Sequence, residues 1–135
     1  SYKLRARVSA AAESGQKESK AGAAAFDAIA NDTSVESLMR EIASIRGAAL
    51  VVDTADVAEM TKRLGLALAD GSAFRHSASE LLALAHLRAG NQAEAQKLFL
   101  LLAFDPETPP GMRNRAQRLQ AALFNTAAPA ATEKQ

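Results

Sequence analysis

Apolar residues recur along this chain at spacings of three and four, the period of an α-helix, and short polar clusters interrupt them. The pattern predicts about seven helices. The first runs from about Tyr2 to Glu13 with Leu4, Val8 and Ala11 inward, and Ser14-Gly15 is expected to end it. The second runs from about Lys17 to Ala30, carrying Ala21, Ala25, Phe26 and Ile29 on one face. The third, about Val35 to Val52, has the stripe Leu38, Ile42, Ile45, Ala49 and Val52, with Ser34 as its expected N-cap. The fourth runs from about Ala55 to Ala69 with Val57, Met60, Leu64 and Leu68 inward. Asp56 and Glu59 lie in its first turn, where the helix dipole favours carboxylates.

The fifth and sixth helices, about Phe74 to Ala89 and Gln92 to Phe104, meet at Gly90-Asn91. Every residue from Leu98 to Phe104 is apolar, which predicts a helix covered on more than one side. Pro109-Pro110 suits the first turn of a seventh helix, with Thr108 as the expected N-cap and Met112, Ala116, Leu119, Leu123 and Phe124 inward. Gly22, Gly47 and Gly65 lie inside helices and read as points of close helix contact. Loops this short between helices this long predict antiparallel neighbours. Residues 1–126 read as one helical domain, and the small and polar residues 127–135, with Pro129, read as a disordered tail.

Composition narrows the class. Of 135 residues, 32 are Ala and 16 are Leu, both strong helix formers, while seven Gly and four Pro are too few for a turn-rich β fold. The expectation is an all-α protein. The net charge of +1 and six aromatic residues give neither the basic footprint nor the stacking platform of a nucleic-acid binder. With no Cys there is no disulfide, thiolate nucleophile or thiolate metal site. His76 and His86 are ten residues apart, unlike the same-face pair of a helical metal site; His86 reads as packed and His76 as exposed. The sequence has no nucleophile elbow, phosphate-binding loop or zinc-protease motif, so no catalytic, cofactor-binding or metal-binding residue is assigned.

The segment from His76 to Pro106 carries more than periodicity. Leu82 and Ala83 lie mid-helix, Gly90-Asn91 makes a tight reversal, and Ala95, Phe99 and Ala103 follow at intervals of four before Asp105-Pro106. This resembles a tetratricopeptide repeat: a small residue where two helices cross, a glycine turn, an aromatic knob and a terminating proline. Ser79 and His86 depart from the repeat's usual aromatic residues. Gly22, Phe26, Ala30 and Asp32 repeat the spacing of Ala95, Phe99, Ala103 and Asp105. The resemblance implies three antiparallel hairpins and a closing helix, stacked as a short right-handed solenoid.

Three stretches, Phe74 to Gly90, Asp105 to Ala116, and Leu50-Val51-Val52-Asp53-Thr54, are also similar to a bacterial family of membrane-anchored tetratricopeptide-like proteins, the YfgM-like ancillary subunits of the Sec translocon. That resemblance implies a periplasmic interaction domain held at the inner membrane by an anchor upstream of Ser1, with translocon or chaperone components as protein partners. Without such an anchor the expectation is a cytoplasmic, self-associating scaffold. A ligand-binding or enzymatic domain would need a pocket of convergent titratable groups. In a tetratricopeptide array the first helix of each pair lines the inner surface, which here offers Ser77, Glu80, Leu81, Leu84 and Arg88. Glu80 and Leu84 stand where clamps for anionic peptide tails use Lys and Asn, so a mixed apolar and polar segment is the expected ligand. Arg113, Arg115 and Arg118 add a basic patch on the last helix, Lys3, Arg5 and Arg7 another at the start, while residues 21–70 carry four basic and eight acidic side chains. The partner-binding candidates are therefore Ser77, Glu80, Leu84, Arg88, Arg113, Arg115 and Arg118.

Overall fold

A computed structural model describes residues 1–125; the tail expected at 127–135 lies outside the described residues. Among these residues there are seven α-helices and no strand: α1 (Tyr2–Lys17), α2 (Ser19–Ala30), α3 (Ser37–Val51), α4 (Val57–Leu68), α5 (Arg75–Arg88), α6 (Gln92–Phe104) and α7 (Pro110–Gln120), the last running into a π-helical turn at Ala121–Asn125. Each helix packs on the next in sequence, and α3 also touches α5. The core is correspondingly a chain of three clusters. Ala11, Phe26, Ile29 and Ala43 join α1 to α3; Ala48, Met60, Leu64, Ala78 and Ala85 join α3 to α5; Ala83, Phe99, Leu102, Met112 and Ala116 join α5 to α7.

Ser14-Gly15 does not end α1. The helix continues to Lys17, and Glu18, in an extended conformation, is the only residue between α1 and α2. Gly15 serves proximity instead: a Cβ added to Gly22 would lie 2.4 Å from the Gly15 Cα. At the far end of this pair, Arg7 bonds Asp32 at 2.7 Å. Asp32 also accepts from the Ser34 hydroxyl at 2.6 Å and from its backbone N–H, which with Arg7 holds its carboxyl down at about 2. Ser34 is thus spent on a turn rather than on capping; α3 starts after Glu36, without a side-chain cap.

The buried stripe of α3 is rotated from the expected one. Ala43, Ser44, Gly47, Ala48 and Val51 face inward, while Leu38 and Ala49 are exposed and Ile42, Ile45 and Val52 flank the contact half-buried. Small residues win the central position because they let α2 approach closely; a Cβ on Gly47 would be 3.1 Å from the Phe26 Cβ. The Ser44 hydroxyl donates to the Arg63 carbonyl of α4. Gly65, by contrast, has nothing within 4 Å of a built Cβ, so it is not a close contact.

The turn between α5 and α6 follows the sequence reading. Gly90 takes φ +83°, Asn91 N–H donates to the His86 carbonyl at 2.9 Å, and Gly90 N–H donates to the Leu87 carbonyl at 3.1 Å. That is the paired bonding of a Schellman cap. Ala95, Phe99 and Ala103 are all buried, as are Gly22, Phe26 and Ala30. Before α7, Pro109 rather than Thr108 is the N-cap, and Pro110 opens the helix. Thr108 stands one residue too early to reach the first turn; its hydroxyl is buried without a protein partner. The π turn takes Leu123 off the inner face, leaving it 45% exposed, and Gln120 is buried in its place.

Candidate functional site

The face expected to bind a partner is largely occupied by its own members. Glu80 on α5 and Arg115 on α7 form a two-pronged ion pair, Nε to Oε2 and Nη2 to Oε1, both 3.0 Å. This bonding raises the Arg115 pKa above its ordinary value. Arg88 donates to the Ala55 carbonyl before α4, and Arg113 donates to the Thr108 carbonyl at 3.2 Å. Leu84 packs half-buried on the C-terminal cluster and Leu81 on the central one; Ser77 is half-buried. Arg118 is exposed and has no ion-pair partner among the described residues. Of the seven candidates, then, Glu80 and Arg115 meet each other, Arg88 and Arg113 tie backbone, and Arg118 stands alone.

The open surface lies elsewhere. A groove of about 630 Å³ runs between the end of α4, the start of α5 and the last two turns of α6. Its apolar wall is Leu68, Leu100, Leu101, Leu102 and Phe104. The all-apolar end of α6 is covered by both α5 and α7, as expected from sequence, but Leu101 is 62% exposed and Phe104 76%, so a further side stays open. Phe99 and Ala103 turn inward; Leu101 and Phe104, one turn apart, turn outward.

Polar groups beside the groove are tied together. His76 Nε2 lies 2.9 Å from Asp105 Oδ2, Arg75 Nη1 lies 3.6 Å from the same oxygen, and Arg75 Nη2 bonds Glu107 at 2.6 Å. Glu107 N–H donates to Asp105 Oδ1 at 2.9 Å. His76 is therefore half-buried and paired, not exposed. His86, as expected, is half-buried, with Nδ1 3.2 Å from the Asn91 amide nitrogen. The His76 hydrogen bond, then the Glu107 N–H, hold the Asp105 carboxyl below its ordinary 3.8. A depressed carboxyl stabilises the fold above that ordinary value and loses the contribution as pH falls through its folded one. Asp105→Asn should accordingly flatten the acid limb of stability below about pH 4, measured by urea unfolding at each pH.

Ser79 lines the same groove, and no hydrogen bond joins it to His76 among the described residues. No group of three or more His, Cys, Asp or Glu among the described residues is placed to hold a metal. A smaller cavity of about 280 Å³ is lined by Asp27, Glu59, Lys62 and Arg63. Arg63 is bonded there to Asp27 at 2.5 Å and Glu59 at 3.0 Å. Burial pushes the Asp27 carboxyl up further than Arg63 pulls it down. These charges are matched to one another.

No family model, curated protein or solved structure matches this chain. No helix among the described residues is long and apolar enough to cross a membrane. The sequence reading missed Lys97, Leu101 and Phe104 as surface residues. Its available signal was the unbroken run Leu98 to Phe104, which contains more apolar side chains than one buried face can use.

Proposed function

We propose that the chain is a non-enzymatic protein–protein interaction module, a short tetratricopeptide-like array that presents a surface to a partner. The observation that carries this reading is the ridge of Leu101 and Phe104 beside an open groove. Large apolar side chains grouped on a groove wall mark contact surfaces more often than scattered ones do. Stacking of consecutive hairpins is supported by the ion pairs that bring the start of α5 to the end of α6, as a reversal at Gly90 requires. The closing helix and its Glu80–Arg115 bridge fit an array in which alternate helices neighbour one another.

The periplasmic setting, near the Sec translocon and its chaperones, rests on the resemblance of Phe74 to Gly90 and Asp105 to Ala116 to the YfgM-like family. It requires a hydrophobic stretch of about 20 residues encoded upstream of Ser1. A photocrosslinker at Phe104 in the full-length protein in its native cells should join a discrete partner protein, identified as a translocon or chaperone component. One at the exposed Ala28 of α2 should not. Adducts between two copies would instead favour the cytoplasmic self-associating scaffold, and absence of any adduct specific to Phe104 would remove the interaction reading.

A further inference from the structure

The groove is asymmetric in charge, and the asymmetry identifies the kind of segment that fits it. Arg75 is paired with Asp105 and Glu107, and His76 is bonded to Asp105. Two charged residues lining the groove have no ion-pair partner among the described residues: Lys97 on α6 and Asp70 in the loop after α4. They lie at opposite ends. Arg75 at the start of α5 meets Asp105 just past α6, so the loop carrying Asp70 sits at the Phe104 end. Lys97 lies seven residues earlier on α6, about 10 Å back along its axis. Between the two charges stand Leu101 and Phe104, exposed.

We infer that this groove binds an amphipathic helix of a partner protein, lying parallel to α6, with an acidic residue against Lys97 and a basic residue two turns later against Asp70. This rests on the interaction-module reading and names the partner's chemistry. Two turns of helix carry one face as positions i, i+3, i+4 and i+7, which matches the order base, apolar, apolar, acid offered by the groove. The direction follows from the partner's own dipole. A helix gains from an acid in its first turn and a base in its last, and only the parallel orientation gives it both while pairing Lys97 and Asp70. The apolar pair supplies affinity, and the rim charges set direction and partner choice. A second copy of this chain would fill the apolar wall without needing that order of charges.

The test uses two synthetic helical peptides of about four turns with the same composition. One carries Glu-x-x-Leu-Leu-x-x-Lys on a single face, the other Lys-x-x-Leu-Leu-x-x-Glu. Binding is read by fluorescence anisotropy at low salt. The Glu-first peptide should bind about tenfold more tightly, with the preference shrinking as salt is raised. Phe104→Ala, whose melting should match the parent because the ring is exposed, should abolish binding of both. Lys97→Glu and Asp70→Lys each leave two like charges at the groove and should each weaken Glu-first binding about tenfold, whereas the double variant should bind that peptide again, turned end for end. Equal binding of the two peptides, or Glu-first binding that neither single charge reversal weakens, overturns the inference while the crosslinking at Phe104 still supports an interaction module. Sedimentation showing a dimer that Phe104→Ala dissolves overturns it in favour of self-association. If neither peptide binds at about 1 mM, the proposed chemistry is wrong; if Phe104 also yields no crosslink, the module reading fails with it.

Discussion

Phe99→Ala is expected to cost about 3–5 kcal/mol of unfolding free energy, the usual range for removing a fully buried aromatic ring. Phe99 is 0% exposed and sits among Ala83 of α5, Leu102 of its own helix, and Met112 and Ala116 of α7. Alanines around it cannot lengthen to fill the space, so collapse of the cavity would require α5 or α7 to move. Phe99→Leu should lose clearly less, since most of the volume remains. Phe104→Ala, five residues along the same helix but exposed, should change stability by no more than about 0.5 kcal/mol. Urea unfolding of the three variants separates the two phenylalanines. A loss below about 1 kcal/mol for Phe99→Ala would mean that α6 is turned about its axis relative to the arrangement described here.

That contrast also marks how far the sequence could be read. Helix number and type were legible because Leu, Met and Phe repeat at helical spacing and the breaks are polar. The Gly90 turn was legible because a positive φ asks for glycine, and the turn lies between two well-marked helices. What was not legible is rotation. In α3 the larger residues pointed to a stripe through Leu38 and Ala49, yet the small residues around Gly47 took the centre. Close packing rewards the face that lets two axes approach, and hydrophobicity alone does not report distance. Cap positions failed for a related reason: Ser34 and Thr108 had the right chemistry one or two residues too early, and backbone set by Asp32 and by Pro109-Pro110 decided where each helix began.

The site was legible only in part. Glu80 was read as part of a groove on α5 and Arg115 as part of a separate basic patch on α7, because sequence does not distinguish a charge that waits for a partner from one already bonded within the chain. Glu80 and Arg115 proved to be each other's partners. The groove arises from the opposite situation. Leu98 to Phe104 supplies apolar side chains to all sides of α6, while its neighbours α5 and α7 cover Phe99, Leu102 and Ala103 and leave Leu101 and Phe104 uncovered. An excess of apolar positions over available neighbours predicts an open face, but which residues form it depends on the turn geometry at both ends of the helix.

Gly22→Ala should destabilise the protein by about 1–3 kcal/mol even though alanine is the better helix former by about 1 kcal/mol. The added Cβ would lie 2.4 Å from the Gly15 Cα, 2.6 Å from the Gly15 nitrogen and 2.9 Å from Leu50 Cδ1. Leu50 can rotate; the Gly15 backbone cannot. Separation of α1 and α2 is resisted because a single residue, Glu18, joins them, and its N–H and carbonyl are bonded to Ser14 and Gly22 at 2.8 and 3.0 Å. Gly65→Ala is the matched control: the same substitution inside α4, where nothing lies within 4 Å of the new Cβ. There the helix preference acts unopposed and stability should rise by about 0.4–1 kcal/mol. Thermal and urea unfolding of the pair should therefore give shifts of opposite sign. If both variants are stabilised, α1 and α2 do not meet at Gly15 and Gly22, and the N-terminal cluster built on Ala11, Phe26 and Ala43 loses the contact that sets its geometry.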